Sequence, residues 1–125
     1  MKRNLDLIRD LLILAEESDG PVTDDALSAS DYMRSELAYH VELMTQRGLI
    51  DGCVEYDGFH RTAMNISISS ITWEGYGYLD AIRSDDVWHK AKAAVKKSVG
   101  EASLSVMKEA CSLIASSMIK KQLGM

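Results

Sequence analysis

Pro21 is the only proline among 125 residues, so neither a polyproline spacer nor a Pro-rich linker has the material to form. Apolar runs are equally scarce. The longest uninterrupted one, Leu11 to Ala15, falls far short of the roughly 20 residues a helix needs to cross a bilayer, and no membrane contact is expected. The opening Met1-Lys2-Arg3-Asn4-Leu5-Asp6 sets acids among its first apolar residues, unlike the apolar centre of a signal peptide. A cytoplasmic location is the expectation. Two cysteines, Cys53 and Cys111, show no CxxC spacing and supply no disulfide framework; both are read as reduced, packed thiols. Low-complexity tracts and internal repeats are lacking too.

What is present is globular composition. Hydrophobic residues at 46% beside 26% charged ones suffice for a real core, and the length fits one domain or a small domain with a helical appendage. Charge divides unevenly along the chain. Residues 1–84 hold one lysine and six arginines against fifteen acids, a net of minus eight; residues 85–125 hold seven lysines against four acids, a net of plus three.

Periodicity sets out the elements. Leu5, Ile8, Leu12 and Ala15, flanked by Leu7, Leu11 and Leu14, recur at helical steps, Asn4 suits the N-cap, and Ser18-Asp19-Gly20-Pro21 stops the helix near Glu17. Val22 starts a very short strand, and Thr23-Asp24-Asp25-Ala26-Leu27 opens a helix of one or two turns. A longer helix is expected from Asp31, behind Ser30, to Arg47, with Leu37, Val41 and Met44 inward and Gly48 ending it. Leu49-Ile50 then enters the core, Cys53 to Tyr56 reads as a strand, and Asp57-Gly58 is a two-residue turn signal. Met64, Ile66 and Ile68 alternate with polar residues as the returning strand, with residues 59–63 assigned to the tip. Thr72 caps a helix carrying Trp73, Tyr76, Leu79 and Ile82 up to Arg83.

Beyond residue 84 the pattern is helical alone. Ser84-Asp85-Asp86 starts a helix holding Val87, Trp88, Ala91, Ala94 and Val95, with Lys96-Lys97 at its end and Gly100 closing it. A last helix follows from Glu101. Leu104, Met107, Cys111, Ile114 and Met118 alternate three and four steps along it, a stripe broad enough to need a partner. Packing on the first helix is one reading. A homodimer seam through those five residues is favoured, because the part before Arg83 has a core of its own.

The order helix, strand, strand, helix is that of a winged helix-turn-helix. Leu37-Ala38-Tyr39-His40-Val41-Glu42-Leu43-Met44-Thr45-Gln46-Arg47-Gly48-Leu49-Ile50 is similar to the recognition helix and following strand of arsenical-resistance-type winged-helix repressors. A resemblance covering nearly the whole chain rests on Met1 to Arg9, Tyr39-His40, Gly48-Leu49-Ile50, Ile71-Thr72-Trp73-Glu74-Gly75, Leu79 to Arg83 and Val87-Trp88. These look like a bacterial and phage family classed as a domain of unknown function. The resemblance implies a small bacterial, phage or prophage protein with a winged-helix start, and it carries no catalytic residues. The expected architecture is mainly helical α+β: a winged-helix domain with a two-stranded wing over 1–84, and two C-terminal helices over 85–125.

Docked as a recognition helix, the third helix would face outward with Arg34, Ser35, Glu36, Tyr39 and Glu42, place Gln46 near the DNA backbone, and be joined by His60 and Arg61 from the wing. That expectation is a DNA-binding transcriptional regulator. Glu36 and Glu42 oppose it, since DNA affinity comes from neutralising phosphates. The alternative is an acidic protein-interaction module, an adaptor or a phage-encoded inhibitor, steered by charge to a bacterial protein. No catalytic role, cofactor or metal is expected: His40, His60 and His89 lack ligand spacing, no Gly-x-Ser-x-Gly turn occurs, and Gly75-Tyr76-Gly77 is read as close helix packing. His40 is expected to be packed, and Trp73 and Trp88 to be core aromatics.

Overall fold

Helix α1 (Leu5–Glu17) begins where the Asn4 side chain accepts from the amides of Asp6 and Leu7 at 3.0 and 3.3 Å, satisfying donors that have no helical partner. It buries Leu7, Ile8, Leu11 and Leu12, while Leu5 and Ala15, expected inward, are half-buried. The computed structural model describes residues 1–59, 61–99 and 103–124. Past Pro21, Val22 and Ile68 exchange both backbone bonds at 2.8 and 3.0 Å, an isolated antiparallel bridge. Helix α2 (Asp24–Ser28) follows, with Thr23 at the N-cap position making no side-chain cap bond.

Helix α3 runs Arg34–Arg47 rather than from Asp31. The physical reason lies in Ser30, expected as its cap: the hydroxyl and the amide of Ser30 both donate to Leu27 O, at 2.8 and 3.1 Å. Ser30 therefore closes α2 instead of opening α3. Gly48 ends α3 at φ +81, with its amide bonded to Thr45 O and the Leu49 amide to Met44 O. That pairing is a Schellman motif, which needs a left-handed residue at this point and so favours glycine.

Strands β1 (Ile50–Tyr56) and β2 (Ala63–Ile71) form an antiparallel pair with register shifts between Asp51 and Gly52 and between Glu55 and Tyr56. Ser69 and Met64 are the extra residues on β2. Each flips the phase of the strand, so Ile71, then Ile68 and Ile66, then Ala63 are buried, and Met64, expected in the core, is 66% exposed. The two-residue turn at Asp57-Gly58 is replaced by a longer link. The Asp57 amide donates to Thr62 O, the Arg61 amide donates to Asp57 O, and the Asp57 carboxylate accepts from the Phe59 amide. Pairing ends at Tyr56 and Ala63, so the chain has six residues to turn in. Cys53, on β1, is exposed, against the expectation of a packed thiol; Cys111 is buried.

Helix α4 (Trp73–Ile82) starts at Thr72, whose hydroxyl donates to Gly48 O at 2.5 Å and accepts from the Gly75 amide at 3.0 Å. Gly75 lies so close to the turn after α3 that a Cβ there would sit 1.9 Å from Leu49 O. With Gly75, Leu79 and Ile82 inward, helical geometry puts Trp73 on the opposite side. It is 91% exposed and not the core aromatic expected, and Tyr76 is 42% exposed.

The chain divides into two compact units, Met1–Tyr76 and Gly77–Met125, the division falling inside α4. In the second unit α5 (Asp85–Val99) and α6 (Leu104–Gln122) pack on each other. Ser84 caps α5 through the Val87 amide, and Ser103 caps α6 through the Val106 amide. Val87, Trp88, Ala91 and Val95 are buried, as are Met107 and Cys111, whereas Ala94 is exposed. The Tyr78 hydroxyl donates to Leu104 O. Within its own unit the α6 stripe packs on α5. Gly100 and Glu101, expected to close one helix and open the next, lie outside the described residues.

Candidate interaction groove

Arg34 decides what α3 can present. Its Nε donates to Ala63 O at 2.8 Å, Nη1 to the Ser28 hydroxyl at 3.2 Å, and Nη2 to Met64 O and Asp24 Oδ1 at 2.9 and 2.6 Å. The same Asp24 oxygen accepts from the Ile66 amide at 2.9 Å. One guanidinium thus ties α2, α3 and β2 together, and it covers carbonyls left unpaired where Met64 bulges out of the ladder. The hydrogen bond from Arg34, then that from Ile66, holds the Asp24 carboxyl below the usual carboxylate range. An outward base-reading side chain was expected here. In the structure Arg34 is part-exposed, with its guanidinium engaged by Asp24, Ser28 and two carbonyls.

Between α3 and the hairpin lies a groove of about 410 Å³, lined from the helix by Arg34, Ser35, Tyr39 and Glu42 and from the hairpin by Tyr56, Arg61 and Thr62. Five of the eight residues expected to contact a ligand therefore come together: Arg34, Ser35, Tyr39, Glu42 and Arg61. Glu36 and Gln46 do not line it; Glu36 is half-buried and Gln46 is exposed. His60 lies outside the described residues. Along the outward strip of α3, Ser35, Glu36, Tyr39, Glu42 and Gln46 bring two carboxylates and no cation.

The groove has a polar seam that spacing alone did not reveal. The Tyr56 hydroxyl bonds to the Glu42 carboxylate, which raises the phenol pKa; burial adds to the rise and Arg61 opposes it. Tyr56 was read only as the end of a strand. Its pairing with Ala63, just before the turn, is what brings it over α3. Arg61 occupies φ +52, a left-handed conformation rare for a side-chain-bearing residue.

Met1 also lines the groove, and the segment behind it is anchored. The Asn4 amide donates to His40 Nε2 at 2.7 Å, while His40 Nδ1 faces Glu36 O at 2.8 Å. Nε2 must accept and Nδ1 must donate, so the ring is neutral with its proton on Nδ1. His40 is fully buried, with Tyr39 edge-on to it at 5.4 Å between centroids. Lys2 and Arg3 remain exposed on this anchored arm.

The residues expected to form a dimer seam are split by the fold. Met107 and Cys111 are covered within the chain, Leu104 and Ile114 are half-buried, and Met118 is 40% exposed. Among the described residues, no three His, Cys, Asp or Glu side chains gather in a form that could hold a metal ion. No helix among them is long and apolar enough to cross a membrane.

Residues 2–101 match a family described as Hypothetical protein (DUF2513). Over 122 residues, 95% of this chain and 99% of the other, the sequence is 33% identical to an uncharacterized protein of Haemophilus influenzae (strain ATCC 51907 / DSM 11121 / KW20 / Rd). No solved structure matches it. With a family match across most of its length and a relative covered almost end to end, the chain belongs to the DUF2513 family.

Proposed function

We propose that residues 1–76 form a winged-helix-type module that binds a basic segment of a protein partner through the groove between α3 and the hairpin. The order α1, bridge at Val22, α2, α3, β1, β2 supports the winged-helix reading. The observation that carries the functional reading is Arg34. Four of its five N–H donors are engaged by Asp24, Ser28, Ala63 and Met64, so the outward strip through Ser35, Glu36, Tyr39, Glu42 and Gln46 offers two carboxylates where a DNA reader needs cations. Residues 1–76 hold six lysines and arginines against fourteen acids, a net of minus eight, which draws in a positively charged partner and repels phosphate. Tyr39 and Tyr56 flank Glu42 with aromatic faces suited to an arginine or lysine side chain. Exposed Phe59 and Met64 add apolar area nearby on the hairpin.

A second reading, DNA binding by a transcriptional regulator, is favoured by one observation. Arg61 and the arm bearing Lys2 and Arg3 reach the same groove, and such groups suit phosphate or a minor groove.

The test is capture from bacterial extract on the immobilised full chain, with partners identified by mass spectrometry. Wild type is expected to retain a basic protein, Tyr39→Ala to weaken its affinity about tenfold, and Glu17→Gln, on an exposed residue of α1, to leave it unchanged. Retention of nucleic acid alone, abolished by Arg61→Ala, overturns the protein reading in favour of the second.

A further inference from the structure

The outer face of α6, opposite buried Met107 and Cys111, carries a second pattern. Val106, Glu109, Leu113, Ser116, Lys120 and Leu123 follow one another at steps of three and four, and all six are exposed. That is a seam of the coiled-coil type, running about 25 Å along the helix. It is also self-complementary when read backwards. About the point between Ile114 and Ala115, Val106 falls opposite Leu123, Glu109 opposite Lys120, and Leu113 opposite Ser116.

We infer that this face docks a second copy of the chain, with the two α6 helices antiparallel about a two-fold axis. Each of the three layers is then chemically matched twice over: apolar on apolar, carboxylate on ammonium, and a large side chain over a small one. A parallel pair in register would set Glu109 against Glu109 and Lys120 against Lys120, so the same residues that favour the antiparallel pair reject the parallel one. Among the described residues neither Glu109 nor Lys120 has an ion-pair partner within its own chain. The two-fold operation lets one surface serve both protomers. The face is distinct from the stripe through Met107 and Cys111, which α5 and α6 already cover within the chain.

Sedimentation equilibrium on the full chain over a range of concentrations tests the inference, with circular dichroism to confirm that each variant is folded. Wild type is expected to be a concentration-dependent dimer. Glu109→Lys alone, or Lys120→Glu alone, places like charges opposite each other at two symmetric points and is expected to weaken the dimer about tenfold or more. Combining the two reversals in one chain restores both pairs, and the dimer should return to within about threefold of wild type. A wild-type chain that stays monomeric throughout overturns the inference. So does a folded double variant that remains as weak as the single ones.

Discussion

The two units use polar side chains differently. In Met1–Tyr76 they join elements far apart in sequence: Asp24 to Arg34 and Ile66, Asn4 to His40, and Thr72 to Gly48. In Gly77–Met125 the links from Asp80 to Arg83 and from Asp86 to Lys90, and the caps at Ser84 and Ser103, are local, while the Tyr78 hydroxyl reaches Leu104 O. Charge follows the same division. The first unit nets minus eight, whereas the second holds eight lysines and arginines against five acids, a net of plus three. In the first unit Arg34 is tied to other elements, while Lys2, Arg3, Arg47 and Arg61 are exposed among a larger number of acids. A helical pair held by apolar contact and local caps leaves its outer charges for other uses.

A matched pair of glycines probes this contrast most severely. Gly75→Ala would drive a Cβ into backbone 1.9 Å away at Leu49 O, and a loss of about 3 kcal/mol or more in urea unfolding is expected. Gly77 meets nothing within 4 Å, so Gly77→Ala should gain roughly 0.5 to 1 kcal/mol from helix propensity.

Next in size is Asp24→Ala, which strands the Arg34 guanidinium and the Ile66 amide and is expected to cost about 2 kcal/mol. Asp86→Ala, breaking an exposed pair with Lys90, should cost no more than about 0.5 kcal/mol. Acid titration sharpens the point. Because the folded state lowers the Asp24 pKa below its ordinary 3.8, the stability it lends is present above that value and lost as pH falls through the lowered one. Asp24→Asn should remove this part of the acid sensitivity.

At the alkaline end the sign reverses. Burial first, and then the bond to Asp10 at 2.7 Å, pushes Tyr32 up to about 12. Its contribution is present below 10.0 and lost as pH rises through about 12, and Tyr32→Phe should flatten that limb of the stability profile. A small effect of the opposite sign is expected from Arg61→Gly. Relief of the left-handed conformation should stabilise the first unit by roughly 0.5 kcal/mol while removing the cation of the hairpin.

Legibility in the sequence divides along the same line. Helix α1 keeps the expected bounds because Asn4 and Pro21 act on their neighbours, and Gly48 ends α3 for an equally local reason. Ser84 marks the start of α5 by local capping too. Local chemistry failed where another group competed for the same side chain. Ser30 looked like a cap for α3 and was taken by the neighbouring Leu27 O, and Arg34, expected among the base contacts, is tied to Asp24 ten residues away. Met64 kept the alternation of a core strand, yet a bulge put it in solvent. Trp73 looked like a core residue because of its size, but the approach of Gly75 to Leu49 fixes which side of α4 faces inward. The groove was half legible: helical spacing grouped Ser35, Tyr39 and Glu42, while Tyr56 and Met1 arrive through strand register and the His40 anchor.

On the function proposed for them, α3 and its groove serve a basic protein segment and not nucleic acid. The most direct measurement is the fluorescence anisotropy of a labelled mixed-sequence DNA duplex titrated with the full chain at low ionic strength, where phosphate attraction is strongest. No binding is expected there. Saturable binding that weakens as salt is added and disappears in Arg61→Ala would contradict it.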